Sequence, residues 1–168
     1  MRAEELRALQ APLKEQYRTE PRRALITLTA GGELDAAAVS CRVDTGRAMV
    51  EAGLHPATGG SGLEACSGDL LLQALVACAG VTLRAVATAL AIPLRAGRVY
   101  AEGDLDFRGT LGVSKDVPVG FQSIRLRFEL DTDATAEQLE TLLKLTERYC
   151  VVLQTLRASP EVSVRFEV

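Results

Sequence analysis

Between Asp69 and Arg84 the chain carries no charged residue, and the run from Leu70 to Leu83, Leu-Leu-Leu-Gln-Ala-Leu-Val-Ala-Cys-Ala-Gly-Val-Thr-Leu, presents apolar side chains on every face of a helix. Such a helix has no water-compatible side and should be surrounded by protein. The run is shorter than the roughly 20 residues a bilayer-spanning helix needs, so the expectation is a buried core helix and no membrane partner. Ser67 is placed to cap it, and Asp69 falls in its first turn, where a carboxylate suits the positive end of the helix dipole. Ile92-Pro93 should end it near Ala91, because the residue before a proline is pushed out of helical geometry.

The rest of the chain must wrap that helix. Leu6, Leu9, Leu13 and Tyr17 recur at helical spacing, with Pro12 breaking the pattern, which predicts a short amphipathic helix over residues 3–17. From Ala24 the period becomes two. Segments 24–29, 38–43 and 48–52, with turns at Gly31-Gly32 and Gly46, predict an antiparallel meander of three strands. A glycine-rich connection, 53–68, is long enough to suggest a functional loop. Strands follow at 98–107 and 121–130; in the second, Ile124, Leu126, Phe128 and Leu130 alternate with Arg125, Arg127 and Glu129, so one face is wet.

Thr135 with Gln138 forms a capping-box signature for a second long helix. Its inward face carries Leu139, Leu142, Leu143, Thr146, Cys150 and Leu153, and a last strand covers 162–168. Strands, helix, strands, helix and strand without alternating parallel units predict an α+β fold. Residues 1–20 read as a helical extension and 21–168 as one domain.

The chain has 168 residues, 48% of them hydrophobic, which suits a single domain with a sizeable core. Its 19 basic and 22 acidic residues are scattered, so no nucleic-acid partner is expected. Met1–Leu9 is charged and has no apolar core before a cleavage site, which makes a cytoplasmic location the expectation. Four cysteines, Cys41, Cys66, Cys78 and Cys150, in such a compartment predict no structural disulfide framework. Without a Cys-x-x-Cys pair, and with His55 as the single histidine, neither a metal nor a cofactor is expected. Cys78 and Cys150, both on helices and far apart in sequence, admit two readings: a reactive thiol pair, or two small hydrophobic core residues.

The stretch Ser67-Gly68-Asp69-Leu70-Leu71-Leu72-Gln73-Ala74-Leu75-Val76-Ala77-Cys78, followed after two strands by Glu147-Arg148-Tyr149-Cys150-Val151-Val152-Leu153-Gln154-Thr155-Leu156, resembles the OsmC/Ohr family of osmotically inducible and organic hydroperoxide resistance proteins. The likeness covers the chain from about Ala24 onward. It implies an intertwined homodimer with antiparallel sheets around long buried central helices, and active sites at the interface. It also implies reduction of organic hydroperoxides, an antioxidant and oxidative-stress activity. Cys78 would be the peroxidatic thiol and Cys150 the resolving one, with an external dithiol as reductant. An alternative is a catalytically weakened member that binds an apolar ligand or senses redox state.

That alternative arises because the sequence departs from the family pattern. Family peroxidases carry a proline and a glutamate where this chain has Ser67 and Gly68, and Asp69 is the nearest acid. The family's catalytic arginine lies in the hairpin between the first two strands. Here Ala30–Leu34 has none, which leaves Arg42 and Arg47 as substitutes. His55, in the glycine-rich connection, is a further candidate acid, base or ligand group.

Overall fold

The computed structural model describes residues 2–5, 8, 11, 19, 31–34, 40–44, 49–112 and 115–167, with the backbone alone for 31–34, 40–44, 49 and 108. Residues 3–5, 8, 11 and 19 are helical. Of the expected helix positions, Leu6, Leu9, Pro12, Leu13 and Tyr17 lie outside the described residues, as does the expected strand at 24–29. Strands β1 (Gly31–Leu34), β2 (Ser40–Asp44) and β3 (Met49–Gly53) form an antiparallel meander, and a short β4 (Ala65–Cys66) adds to β3 in parallel. Gly31-Gly32 is therefore not a turn: the two glycines pair with Asp44 and Val43 as the start of β1. Residues 35–39, which join β1 to β2, contain no arginine either.

The central helix α1 spans Ser67–Ala89. Its N-cap is Cys66, which makes no side-chain capping bond, and Ser67 is already helical, so the expected serine cap is displaced by one residue. At the far end the helix stops before Ala91, because Ala91 turns into the left-handed region at φ 56°. Ile92 N–H donates to Ala87 O at 2.9 Å and Ala91 N–H to Thr88 O at 3.2 Å. These are the two bonds of a Schellman closure, accompanied here by burial of Ile92 against Leu83 and Ala87. At 23 residues, with a mean hydropathy of 1.9 over its most apolar 18, α1 is long and apolar enough to cross a bilayer by those measures, longer than the uncharged run alone suggested. Its buried stripe, Leu75, Ala79, Leu83 and Ala87, follows an i, i+4 line against protein. Among the described residues that stripe is the fully buried part of α1, whereas Leu71 is 38% and Val81 72% exposed, so the expectation of protein on every face is not met by one copy.

Strands β5 (Ala96–Leu105) and β6 (Phe121–Asp131) form a long antiparallel hairpin. The short helix α2 (Phe107–Thr110) lies in their connection. As expected, Arg125, Arg127 and Glu129 face water. Arg125 pairs across to Asp104 and Glu102, and Arg127 lies 4.3 Å from the centroid of the Tyr100 ring. The other face of the hairpin packs Ile124, Leu126, Phe128 and Leu130 toward α1.

Helix α3 (Ala136–Tyr149) opens with the full capping box: Gln138 N–H donates to Thr135 Oγ1 at 3.2 Å, and Thr135 N–H to Gln138 Oε1 at 2.8 Å. The second long helix is not continuous, however. It breaks at Cys150, whose backbone is extended at φ −73°, ψ 105°, and resumes as α4 (Val151–Arg157). Leu143, expected to face inward, is 45% exposed. The predicted last strand is also absent from the described residues. Positions 159–167 have no strand partner here, and Val162, Val164 and Phe166 stand 77%, 87% and 95% exposed. A strand is a pairing rather than a property of its own side chains, and among the described residues that segment has no strand neighbour.

Candidate active site

The chemistry collects where α1, the α3–α4 break and the inner face of the β5–β6 hairpin meet. Leu75, Ala79 and Cys150 are completely buried there, with Cys78, Val99, Ile124 and Leu153 packed around them. Cys78 comes from the middle of α1 and Cys150 from the break, and Cys78 packs against the buried cluster that holds Cys150. Both are free, and Cys78 is the more exposed of the two. A small oxidant therefore meets Cys78 first.

The break gives the thiols their electrostatics. The first amides of a helix have no intrahelical partner. With Cys150 at the N-cap of α4, the amides of Val151, Val152 and Leu153 are left to find other acceptors. Burial pushes the Cys78 thiol up, but the Val152 amide, the Cys150 thiol, the Val151 amide and the Thr82 hydroxyl more than offset it, and its pKa falls below the ordinary thiol value. Cys150 moves the other way. Its burial raises it first, the neighbouring Cys78 raises it further, and the Leu153 and Val152 amides only partly counter this. The pair is thus split electrostatically, Cys78 shifted toward the thiolate and Cys150 toward the thiol.

The other candidates fall elsewhere. Asp69 is exposed in the first turn of α1, nine residues before Cys78, or about 14 Å along the helix axis. His55 is the N-cap of a 3-10 turn at Pro56–Thr58: its Nδ1 accepts from Ala57 N–H at 3.0 Å, and its ring stacks on Phe107 with centroids 4.9 Å apart. That ring pins the glycine-rich connection to α2. Gly60 lets the same loop close, since a Cβ there would lie 1.7 Å from the Leu54 carbonyl oxygen. Arg42 lies on β2 in register with Glu51 of β3, and its side chain is outside the described residues. Arg47 is outside them altogether.

Cys66 is half-buried at the start of α1. No cluster of three or more potential metal ligands occurs among the described residues. Two contributors were missed in the sequence. Thr82, one turn after Cys78, was available from i, i+4 spacing. The α4 amides had no local signal, since neither proline nor glycine marks the break at Tyr149-Cys150-Val151.

An α+β domain in which a long central helix and a broken second helix bring two thiols together defines a class of two-cysteine proteins built around that helix. Residues 60–165 match the family model described as OsmC-like protein, and the chain belongs to that family. Similar solved structures include an OsmC-like protein from Mycoplasma pneumoniae, 16% identical over 80% of this chain and 89% of that one, with a TM-score of 0.66. The organic hydroperoxide resistance protein OsmC from Legionella pneumophila is 19% identical over 80% and 91%, with a TM-score of 0.62. An organic hydroperoxide resistance protein from Elizabethkingia anophelis is 18% identical over 80% and 91%, with a TM-score of 0.64. At these identities the likeness is one of fold. Among curated proteins, none matches the sequence.

Proposed function

We propose that the protein is a thiol-dependent peroxidase that reduces organic hydroperoxides. The observation that carries this reading is the gathering of two free thiols at one buried cluster with opposite shifts, Cys78 lowered and Cys150 raised. The Cys78 thiolate attacks the distal oxygen of the hydroperoxide. The O–O bond breaks, the alkoxide takes a proton and leaves as the alcohol, and Cys78 is left as a sulfenic acid. The Cys150 thiol then attacks the sulfenic sulfur, water departs, and a Cys78–Cys150 disulfide forms. An external dithiol returns both to thiols, which suits a reducing, cytoplasmic setting. The α4 amides and Thr82 supply the thiolate stabilisation that the family pattern assigns to an arginine absent from the first hairpin.

A homodimer belongs to the same proposal. Exposed Leu71 and Val81 on α1, together with the unpaired alternating segment at 159–167, favour a second copy as the missing cover and strand neighbour. Light scattering should give twice the chain mass, and a strict monomer would sink the dimer. The activity is tested by intact mass after one equivalent of cumene hydroperoxide is added to reduced protein. A loss of two hydrogens mapped to Cys78 and Cys150 is expected; no change within minutes would rule the activity out.

A further inference from the structure

The break between α3 and α4 frees backbone groups that must find other partners. In an unbroken helix the Val151 amide would donate to the Glu147 carbonyl four residues back. The ladder is intact on either side of that bond: Cys150 N–H donates to Thr146 O at 3.0 Å, and Gln154 N–H to Cys150 O at 2.9 Å. Between them the ψ of Cys150 is 105°, against about −42° in a helix, which turns the peptide carrying the Val151 N–H away from Glu147. That amide is among the donors acting on Cys78.

The vacated carbonyl is taken by a side chain. Gln154, in the middle of α4, reaches back across the break and donates from Nε2 to Glu147 O at 2.6 Å. A side chain inserted into the main-chain ladder is one of the few causes of a sharp helix kink. Arg157, further along α4, pairs with the Glu147 carboxylate at 3.0 Å, but both partners are well exposed and such a pair contributes little. On the opposite side, Val152, Leu153 and Leu156 pack against the cluster of Leu75, Ala79 and Cys150, so packing favours the break and Gln154 fastens it.

We infer that Gln154 is a positioning residue: by holding the Glu147 carbonyl it keeps the α3–α4 ladder open, so that the Val151 amide serves Cys78 instead of the helix. It acts on the thiol only through the backbone. The inference rests on the peroxidase reading only in treating Cys78 as the attacking thiol. Its readout is alkylation, which needs no hydroperoxide, so either can fail without the other.

The test follows alkylation of Cys78 by iodoacetamide in the reduced full chain across pH, with the site assigned by peptide mass. Gln154→Met and Gln154→Leu remove the donor and add no charge. Both should slow the reaction at neutral pH about threefold, the scale of one exposed hydrogen bond, and move its midpoint to higher pH. The decisive comparison repeats both changes in a Val151→Pro background. There the amide is gone and the proline itself prevents the ladder from closing, so neither change should add to the effect of the proline. The Glu147→Gln/Arg157→Gln double, which cuts the ion pair at constant net charge, should leave the midpoint in place. Circular dichroism and thermal melts establish that each variant is folded. Wild-type midpoints in both Gln154 variants would overturn the inference. So would an equal further slowing in the Val151→Pro background, or a shift from cutting the ion pair as large as that of Gln154→Met, since either means that any loosening of α4 has the same effect.

Discussion

Cys78 and Cys150 share one buried cluster, yet their surroundings are built in opposite ways. Cys78 sits within an unbroken helix, where every nearby backbone amide of α1 is already committed to its own ladder. It receives its donors from outside, chiefly from the first amides of α4. Cys150 occupies the break itself, fully enclosed, with the Cys78 thiol as a neighbour that disfavours its ionisation. One structural event, the interruption of the second helix at Tyr149-Cys150-Val151, therefore lowers one thiol while holding the other in a dry pocket. The lesson is that a break in one helix can set the electrostatics of a side chain on another.

The largest test of this division separates the two thiols by role. Cys78→Ser should lower hydroperoxide reduction by about 10³-fold or more, the scale seen when a nucleophile is removed from a catalytic set. Cys150→Ser should spare the first oxidation and trap it. One equivalent of hydroperoxide should then add a single oxygen at Cys78, detectable as a dimedone adduct by mass spectrometry. Equal losses in both variants, with no trapped oxygen, would erase the distinction between the two sites.

A smaller effect probes the source of the thiolate. Val151 is the first residue of α4, where a proline is tolerated because its missing N–H has no helical partner, and Cys150 is already extended as a pre-proline residue must be. Val151→Pro removes one donor from Cys78 without removing a side chain that touches it. Its Cys78 should react with iodoacetamide at neutral pH roughly threefold more slowly, and the alkylation midpoint should move to higher pH. Thr82→Val, which removes the last-named contributor, should slow the reaction by less, about twofold. If both variants alkylate like the wild type, another group holds the thiolate.

How much of this was legible beforehand depends on whether the signal is local. The uncharged run of Leu70–Leu83 defined α1, Thr135 and Gln138 marked the start of α3, and alternation in 121–130 separated the wet from the buried face of β6. These are properties of consecutive residues. The break at Cys150 is not, since β-branched Val151 and Val152 are compatible with a helix and only the packing of α4 against α1 makes the interruption worthwhile. The segment 162–168 shows the same limit from the other side. Its alternating Val162, Val164 and Phe166 are as strand-like as anything in β6, but a period of two specifies which side chains share a face, not which backbone lies alongside. β6 finds β5 within the chain; residues 159–167 find no strand here. At the site, Cys78 packs against the cluster that holds Cys150, whereas His55 is engaged in holding a loop and Asp69 stays at the far end of α1.

The smallest effect is also the one that compares the two thiols most directly, because their contributions to stability have opposite pH signs. A lowered folded pKa means that the native state favours the thiolate. The Cys78 contribution is therefore present above the unfolded value of about 8.5 and is lost as the pH falls through the folded value. A raised folded pKa means that the native state favours the thiol. The Cys150 contribution is full below about 8.5 and is lost as the pH rises through the folded value. In the wild type the two slopes occupy adjoining pH windows, one rising up to about 8.5 and the other falling above it. Each becomes visible in a single variant referenced to the Cys78→Ser/Cys150→Ser double, which removes the titration of every other group from the difference. Denaturant unfolding of Cys150→Ser should show stability relative to the double climbing with pH up to about 8.5. Cys78→Ser should show it falling above that point, since burial alone, the first cause of the Cys150 shift, survives the substitution. Two differences of the same sign would mean that the thiols share one environment, and the contrast between helix interior and helix break would fail.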